Sequence, residues 1–168
     1  MSFTSLIHAY RQNDPAAKSV LEVVLLYPGL KAVALHRLAN PLFKAGVPFL
    51  PRLISEFSRL ITGIEIHPGA TIGKNLVSDH GMGVVIGETA EVGDDCLIFH
   101  GSTLGGKGGG GGKRHPTIGH RVLVGAGAKL LGSINVGNDA KIGANAVVLH
   151  DVPAGATAVG VPAEMKIK

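Results

Sequence analysis

The C-terminal half of the chain is built on an aliphatic residue that recurs at every sixth position. From residue 118 onward these residues are Ile118, Val124, Leu130, Val136, Ile142 and Val148. A second apolar residue follows four positions after each of them, and a glycine often stands directly after the first. A period of six matches neither an α-helix nor simple strand alternation. It predicts a triangular solenoid with one hexapeptide on each side of every coil.

Two breaks interrupt this repeat. Upstream of residue 118 the period continues through Ile66, Ile72, Ile86, Val92, Ile98 and Leu104. The first break is a slip of two residues within 78–85, and the second is a Gly-rich insertion at 105–117. A solenoid usually departs from its period to place a loop or a site. We therefore expect functional residues at both breaks.

Residues 1–62 carry apolar side chains at helical spacing and predict a small helical domain. Helices are expected over 5–12, 16–26, 30–44, with an interruption near Asn40-Pro41, and 51–62. Asp14 is placed as the N-cap of the second helix, with Pro15 at its first position. The solenoid domain is predicted over 63–163, followed by a frayed tail at 164–168. The helices are expected to cap the first coil, because an open coil end exposes unpaired strand edges.

Composition narrows the class of protein. Trp is absent and 25 glycines are interleaved with aliphatic residues, which indicates an aliphatic core with tight corners. The net charge is +4, and its densest point, Lys113-Arg114-His115, lacks the interleaved aromatics of a nucleic-acid site. An anionic small molecule is a better ligand for it.

Cysteine usage and hydropathy indicate the compartment. The single cysteine, Cys96, stands at an inward repeat position and predicts a buried filler. One cysteine allows no disulfide within the chain, which suits the cytosol. No signal peptide is visible, and the apolar stretch at 20–27 is too short to span a bilayer. We therefore expect a cytoplasmic protein without nucleic-acid or membrane partners.

Residues able to do chemistry cluster at the two breaks. Asp79-His80 lies at the slip, and Arg114-His115 lies at the end of the insertion. Glu65 precedes His80 by fifteen residues, and a coil has about eighteen, so the two are expected to lie close together on successive coils. A carboxylate beside a histidine fixes its tautomer and raises its basicity, as a general base requires. Asp14 remains open between a helix cap and a ligand for a cation.

These motifs resemble those of serine O-acetyltransferases, a family of hexapeptide-repeat acyltransferases. In the helical region 13–15 and 27–29 match, and in the solenoid the matching segments are 63–70, 79–90, 103–106, 113–119, 125–129, 140–145 and 159–163. They cover nearly the whole solenoid. The resemblance implies a mainly β fold, a left-handed parallel β-helix preceded by a small α-helical domain. It also implies acetyl transfer from acetyl-CoA to the hydroxyl of L-serine, for cysteine biosynthesis. Acetyl-CoA is then a co-substrate, with no tightly bound cofactor and no metal.

The resemblance implies roles for individual residues. The implied catalytic residues are His80 as general base, Glu65 as its acidic partner, and His115. The implied substrate-binding residues are Asp79 beside His115 in the serine pocket, Arg114 on the serine carboxylate, and Asp14 on its ammonium. The implied CoA-binding residues, in a groove between subunits, are Gly105, Gly106, Ala126 and Lys141.

Partners are also implied by the resemblance. L-cysteine is expected as a feedback inhibitor, and the assembly as a homotrimer or a dimer of trimers. His80 and His115 stand thirty-five residues apart, nearly two coils, so we expect each site to be shared between two chains. A stable complex with O-acetylserine sulfhydrylase is not expected, because Lys168 follows Ile167 where the docking tail of the family ends in Ile.

Three other interpretations remain open from the sequence. An acetyltransferase of the same fold can act on another hydroxyl, such as that of homoserine or a sugar. A metal-dependent hydratase could use imidazoles as ligands, and the candidates are His67, His80, His100 and His115. Such a tetrahedral site needs three converging ligands and an open position. A non-catalytic scaffold leaves Glu65, His80 and His115 without explanation.

Overall fold

A computed structural model of the chain describes residues 3–108, 111–162 and 164–166. The described residues form four helices, α1 (Phe3–Asn13), α2 (Val20–Leu26), α3 (Pro28–Lys44) and α4 (Leu50–Thr62). Fifteen short strands follow. They are β1 (Glu65–Ile66), β2 (Thr71–Ile72), β3 (Val77–Asp79), β4 (Val85–Ile86), β5 (Glu91–Val92), β6 (Leu97–Phe99), β7 (Thr103–Gly105), β8 (Thr117–Ile118), β9 (Leu123–Val124), β10 (Lys129–Leu131), β11 (Asn135–Val136), β12 (Lys141–Ile142), β13 (Val147–Val148), β14 (Thr157–Val159) and β15 (Glu164–Lys166).

The strands form three parallel sheets that the chain visits in rotation. Face A holds β1-β4-β7-β10-β13, face B holds β2-β5-β8-β11, and face C begins β3-β6-β9-β12-β14. We call the connection from face C to face A corner CA, and the connection from face A to face B corner AB. Neighbouring parallel strands of each face pair in register, so one coil lies on the next. The predicted parallel β-helix is confirmed.

Aliphatic side chains fill the interior of the coils. On face A these are Ile66, Ile86, Leu104, Leu130 and Val148, which stack in register and are all buried. Cys96 is also buried, and burial raises the pKa of its thiol to about 11. It is therefore the inert filler that the sequence predicted.

The helices cover the first coil and supply donors to its free carbonyls. Ser55 donates to the carbonyl of Ile66 at 2.7 Å, and Asn40 donates to those of Pro68 and Ala70 at 2.8 and 3.0 Å. The buried His36 Nε2 lies 3.1 Å from the Ala70 carbonyl. Because the first coil has no coil above it, these bonds satisfy groups that would otherwise be buried without partners.

The starts of all four helices differ from the prediction by one to four residues, and the reason is visible for α2 and α3. Helix α2 begins at Val20, because Ser19 Oγ accepts from the Glu22 amide at 3.1 Å and caps it. The prediction that Asp14 is the N-cap is therefore wrong. Helix α3 begins at Pro28, which occupies the first turn where its missing N–H costs nothing. It runs to Lys44 with Pro41 inside it, so the expected interruption near Asn40-Pro41 is also wrong.

The end of the chain is ordered further than expected. Residues of β15 pair antiparallel with β14, with Met165 opposite Ala158. The frayed tail predicted from residue 164 is therefore wrong over this strand, because the backbone groups of the last coil edge find a partner there. Ile167-Lys168, on which the docking-tail expectation rests, lie outside the described residues. Within the described ranges, no helix is both long and apolar enough to cross a bilayer.

Candidate active site

The first break in the repeat consists of His80 and Gly81. Asp79 pairs in register with Phe99 of the next coil. Met82 corresponds to His100, because the carbonyl of each of these two residues accepts from a corner glycine of the following coil. The two residues between Asp79 and Met82 therefore have no counterpart in the next coil. His80 takes a φ of 57°, in the left-handed region that side chains other than Gly, Asn and Asp visit rarely. The insertion displaces this imidazole from the regular corner, where it is exposed.

A cavity of about 250 Å³ opens beside His80. Its lining residues are Asp14, Leu26, Tyr27, Pro28, Ser78, Asp79 and His80. The structure thus brings together three of the residues predicted for the site, Asp14 from the helical domain and Asp79-His80 from corner CA. Two carboxylates and an imidazole around one small cavity suit a ligand that carries a cation and a proton to be removed.

Asp14 is held by two donors rather than by a helix end. Its Oδ1 accepts from the Ala16 amide at 2.8 Å, and its Oδ2 accepts from the Tyr27 hydroxyl in a short hydrogen bond. The Tyr27 hydrogen bond, followed by the Ala16 amide, lowers the pKa of Asp14. The same bond raises the pKa of Tyr27 to about 12. Sequence reasoning treated Tyr27-Pro28-Gly29 as a helix break and as a match to the family, and it did not predict this contact.

The His80 imidazole contacts the ring of His100. The two imidazoles meet edge to face, with ring centroids 5.7 Å apart at 84°. Glu65 pairs in register with Val85 on face A. Its charge, after that of Glu56, raises the pKa of Arg59. The expected place of Glu65 beside His80 on successive coils therefore stays a prediction. The inserted residues lengthen the first coil to twenty residues, from Ile66 to Ile86, so the register differs from that of an eighteen-residue coil.

The second break places His115 in a fixed orientation at corner AB. Its ring is 7% exposed, and Nδ1 accepts from the Thr89 amide at 3.2 Å, with Thr89 Oγ1 at 2.9 Å. An accepting Nδ1 puts the proton of the neutral ring on Nε2, an assignment that follows from the hydrogen bonds. Burial, and after it the Arg114 charge, lowers the pKa of His115. A Cβ added at Gly87 would lie 2.1 Å from Nε2, so the ring occupies space that only glycine leaves free.

Arg114 and Lys113 each meet a carboxylate from the coil above. Arg114 pairs with Glu88 at 2.6 Å, and Lys113 pairs with Glu91 at 2.8 Å. They adjoin a cavity of about 360 Å³ lined by residues that include Phe43, Glu88, Thr89 and Lys113. The sequence motif contained Glu88 and Thr89, but their roles were not predicted. Only the fold shows that they hold the end of the insertion.

The predicted site is thus divided into two parts within one chain. The Asp14–Asp79–His80 part lies at corner CA, and the Arg114–His115 part lies at corner AB, with face A between them. The predicted CoA residues are also spread over the surface. Gly105 and Gly106 adjoin corner AB, Ala126 lies at corner CA, and Lys141 is exposed on face C.

The four histidines considered as metal ligands are likewise separated. His80 and His100 share corner CA, whereas His67 and His115 belong to corner AB. Across the described ranges, no group of three or more His, Cys, Asp or Glu side chains converges on one point. The geometry within one chain gives no support to the hydratase interpretation.

Comparison with known proteins identifies the family of this chain. The family "Bacterial transferase hexapeptide (six repeats)" matches residues 115–150. A serine acetyltransferase of Helicobacter pylori is 64% identical over 149 residues, which are 89% of this chain and 87% of that protein. The chain belongs to the serine acetyltransferase family. The resemblance carried by the motifs is confirmed, and with it membership of an acetyl-CoA-dependent class of enzymes.

Three solved serine acetyltransferases share the fold. The soybean enzyme complexed with serine has a TM-score of 0.94 at 44% identity and covers 98% of this chain. The Brucella abortus enzyme in complex with coenzyme A also has a TM-score of 0.94 at 44% identity, over 97% of this chain. A third, complexed with cysteine, has a TM-score of 0.95 at 40% identity, over 98%. This chain spans 68%, 65% and 68% of the three, respectively.

Proposed function

We propose that this chain is a cytoplasmic serine acetyltransferase that converts L-serine and acetyl-CoA to O-acetyl-L-serine and CoA, for cysteine biosynthesis. The observation that carries the proposal is the cavity that unites Asp14, Asp79 and His80. Two carboxylates balance the ammonium of an amino acid, and the imidazole beside them takes a hydroxyl proton. Relatives of the same fold that bind serine and coenzyme A support the choice of substrates.

In the proposed mechanism His80 is the general base. It removes the proton from the serine hydroxyl while the oxygen attacks the thioester carbonyl of acetyl-CoA. A C–O bond forms, the C–S bond breaks when the tetrahedral intermediate collapses, and the proton passes from His80 to the departing CoA sulfur. No acyl-enzyme is needed. Glu65 stays a prediction as the acidic partner of His80, and it rests on the family motif.

The two parts of the site are proposed to meet between neighbouring subunits. Corners CA and AB bound the same face of the prism, face A. When three triangular prisms pack about a three-fold axis with face A inward, corner CA of each chain lies against corner AB of the next. His80 of one chain would then face Arg114 and His115 of its neighbour. We therefore propose a homotrimer, or a dimer of trimers.

Arg114 and His115 supply complementary chemistry in that interface. Arg114 binds the serine carboxylate bidentately, in exchange for the Glu88 carboxylate that it meets in the free chain. His115 lines the serine pocket and presents an Nε2–H held by the Thr89 contacts. A neutral donor with a lowered pKa suits the reacting oxygens, because it remains uncharged at neutral pH.

Acetyl-CoA is proposed to bind as a co-substrate rather than as a tightly held cofactor. Gly105, Gly106 and Ala126 let the backbone approach the pantetheine arm, and Lys141 faces its polar groups. Backbone N–H groups near Gly106 are proposed to stabilise the oxyanion. These residues adjoin different corners of one chain, so the groove forms between two chains. L-cysteine is proposed as a feedback inhibitor in the serine pocket, in line with the relative complexed with cysteine.

A thiol-release assay with acetyl-CoA and a panel of hydroxyl acceptors tests the function. L-serine is expected to be preferred over homoserine, galactosides and ethanolamine. His80→Ala should lower turnover by roughly two to four orders of magnitude, the usual contribution of a general base, while CoA binding stays unchanged. A preference for another acceptor would overturn the substrate, and near-normal turnover of His80→Ala would overturn the base.

A further inference from the structure

The Asp14 carboxylate owes its direction to Tyr27, a side chain for which the motifs predicted no role. Asp14 stands in the connection between α1 and α2, where no regular element fixes its rotamer. The Ala16 amide binds Oδ1, and the Tyr27 hydroxyl, directly after α2 and thirteen residues away in the chain, binds Oδ2. Tyr27 also lines the cavity that contains Asp79 and His80. The Tyr27 hydroxyl therefore fixes Oδ2, the carboxylate oxygen of Asp14 that the Ala16 amide does not bind.

A second tyrosine ties this arrangement to the solenoid. The Tyr10 side chain is 1% exposed, and its hydroxyl accepts from the Ser78 amide at 3.0 Å, directly before Asp79 in β3. The Tyr10 and Tyr27 rings meet edge to face, with centroids 5.7 Å apart at 81°. One tyrosine thus holds the segment that carries Asp79, and the other holds Asp14. The two carboxylates have a fixed relative position although they come from different domains.

We propose that Tyr27 is a positioning residue that orients the Asp14 carboxylate toward the ammonium group of an amino-acid substrate. Tyr27 contributes to selection of substrates that carry this ammonium, and it takes no part in the chemical step. The proposal rests on the proposed function, because it needs an amino acid in this cavity.

Tyr27→Phe is the direct test, because it removes the hydroxyl and keeps the ring against Tyr10. The variant should raise KM for L-serine roughly tenfold, the scale of a lost hydrogen bond to a charged group. The values of kcat at saturating serine and of KM for acetyl-CoA should stay within about twofold. The comparison substrate is 3-hydroxypropionate, which keeps the hydroxyl and carboxylate and lacks the ammonium. Its kcat/KM should change little, so the preference for serine falls.

A double-mutant cycle tests whether Tyr27 acts through Asp14. Asp14→Asn alone should abolish most of the preference for the ammonium, and adding Tyr27→Phe should cause no further loss. The positioning role would be overturned if the two substitutions lowered the preference for serine by factors that multiply in the double variant. It would also be overturned if Tyr27→Phe lowered kcat/KM equally for serine and 3-hydroxypropionate. Tyr10→Phe is the matched control for loss of a tyrosine hydroxyl. It strips a buried amide of its acceptor, so it should lower Tm, whereas Tyr27→Phe should leave Tm within about 2 °C.

Calorimetry separates failure of this inference from failure of the proposed function. L-serine should bind the full chain more tightly than 3-hydroxypropionate, and Tyr27→Phe should narrow the difference about tenfold. If the unaltered chain binds and acetylates serine but Tyr27→Phe behaves like it, only the inference is wrong. If the unaltered chain binds no amino acid, the inference and the function both fail.

Discussion

Mixed oligomers of two inactive variants give a decisive prediction about the divided site. His80→Ala disables the part at corner CA, and His115→Ala disables the part at corner AB. If every site takes His80 from one chain and His115 from the next, a trimer that contains both variants has one interface with both imidazoles intact. If every site lies within one chain, no mixed trimer has any intact site.

The expected recovery follows from the arrangement of chains. Equal co-expression and random assembly place about three quarters of trimers in the mixed class, and one interface in three is intact in each, so activity should reach roughly a quarter of the wild-type value. Each variant alone should lose at least about a hundredfold. The thiol-release assay then distinguishes recovery from background by more than tenfold.

Assembly must be verified before the activities are compared. The two variants are to be co-expressed, because folded trimers exchange subunits too slowly for simple mixing to be trusted, and native mass spectrometry should quantify the mixed species. Co-expression of His80→Ala with a differently tagged His80→Ala chain is the matched control and should remain inactive. Confirmed mixed trimers with no more activity than the parent variants would refute the shared site.

Three further outcomes are expected. Arg114→Leu should raise KM for L-serine and narrow the preference over ethanolamine, which lacks the carboxylate; competition kinetics check this, and an unchanged preference would contradict it. L-cysteine should compete with L-serine in initial-rate measurements, and inhibition indifferent to serine concentration would indicate a separate site. Burial lowers the pKa of His36 from 6.5 to about 4. Since the unfolded chain binds the extra proton between these values, the free energy of unfolding should fall as pH drops from 6.5 toward 4, by about 1.4 kcal/mol per unit at most. Urea titrations should show a shallower slope for His36→Gln, and an equal slope would refute the assignment.

The solenoid was predictable because its signal repeats. Each aliphatic position from Ile118 to Val148 supports the same period, and buried in-register stacking is the only arrangement that satisfies them all. The slip at 78–85 was visible for the same reason. The assignment of this slip to His80 and Gly81 could not be predicted, because the sequence does not show which corner glycines of successive coils correspond.

The contacts across elements could not be predicted from periodicity. Asp14 stands directly after α1 and Tyr27 directly after α2. The spacing of these two residues in the sequence does not predict the hydrogen bond between them. The Asp14 cap was a reasonable prediction from local signals, but Ser19 competes for the same role nearer the helix. The place of Glu65 relative to His80 stays a prediction, because it was derived from an average coil of about eighteen residues and the insertion lengthens this coil to twenty.

The two interruptions of the coil differ in how freely they can change. The long insertion leaves face A after Gly105 and enters face B at Thr117, while Leu104 still stacks on Leu130 and Thr117 still stacks under Glu91. Its length is therefore independent of the winding above and below it. A family built this way can lengthen, shorten or replace that loop, and so alter what it admits, without refolding the scaffold. The insertion at His80 has less freedom, although the coils on both sides of it also stay in register, because it carries the imidazole that lines the cavity with Asp14 and Asp79, and a change in its length would move that side chain.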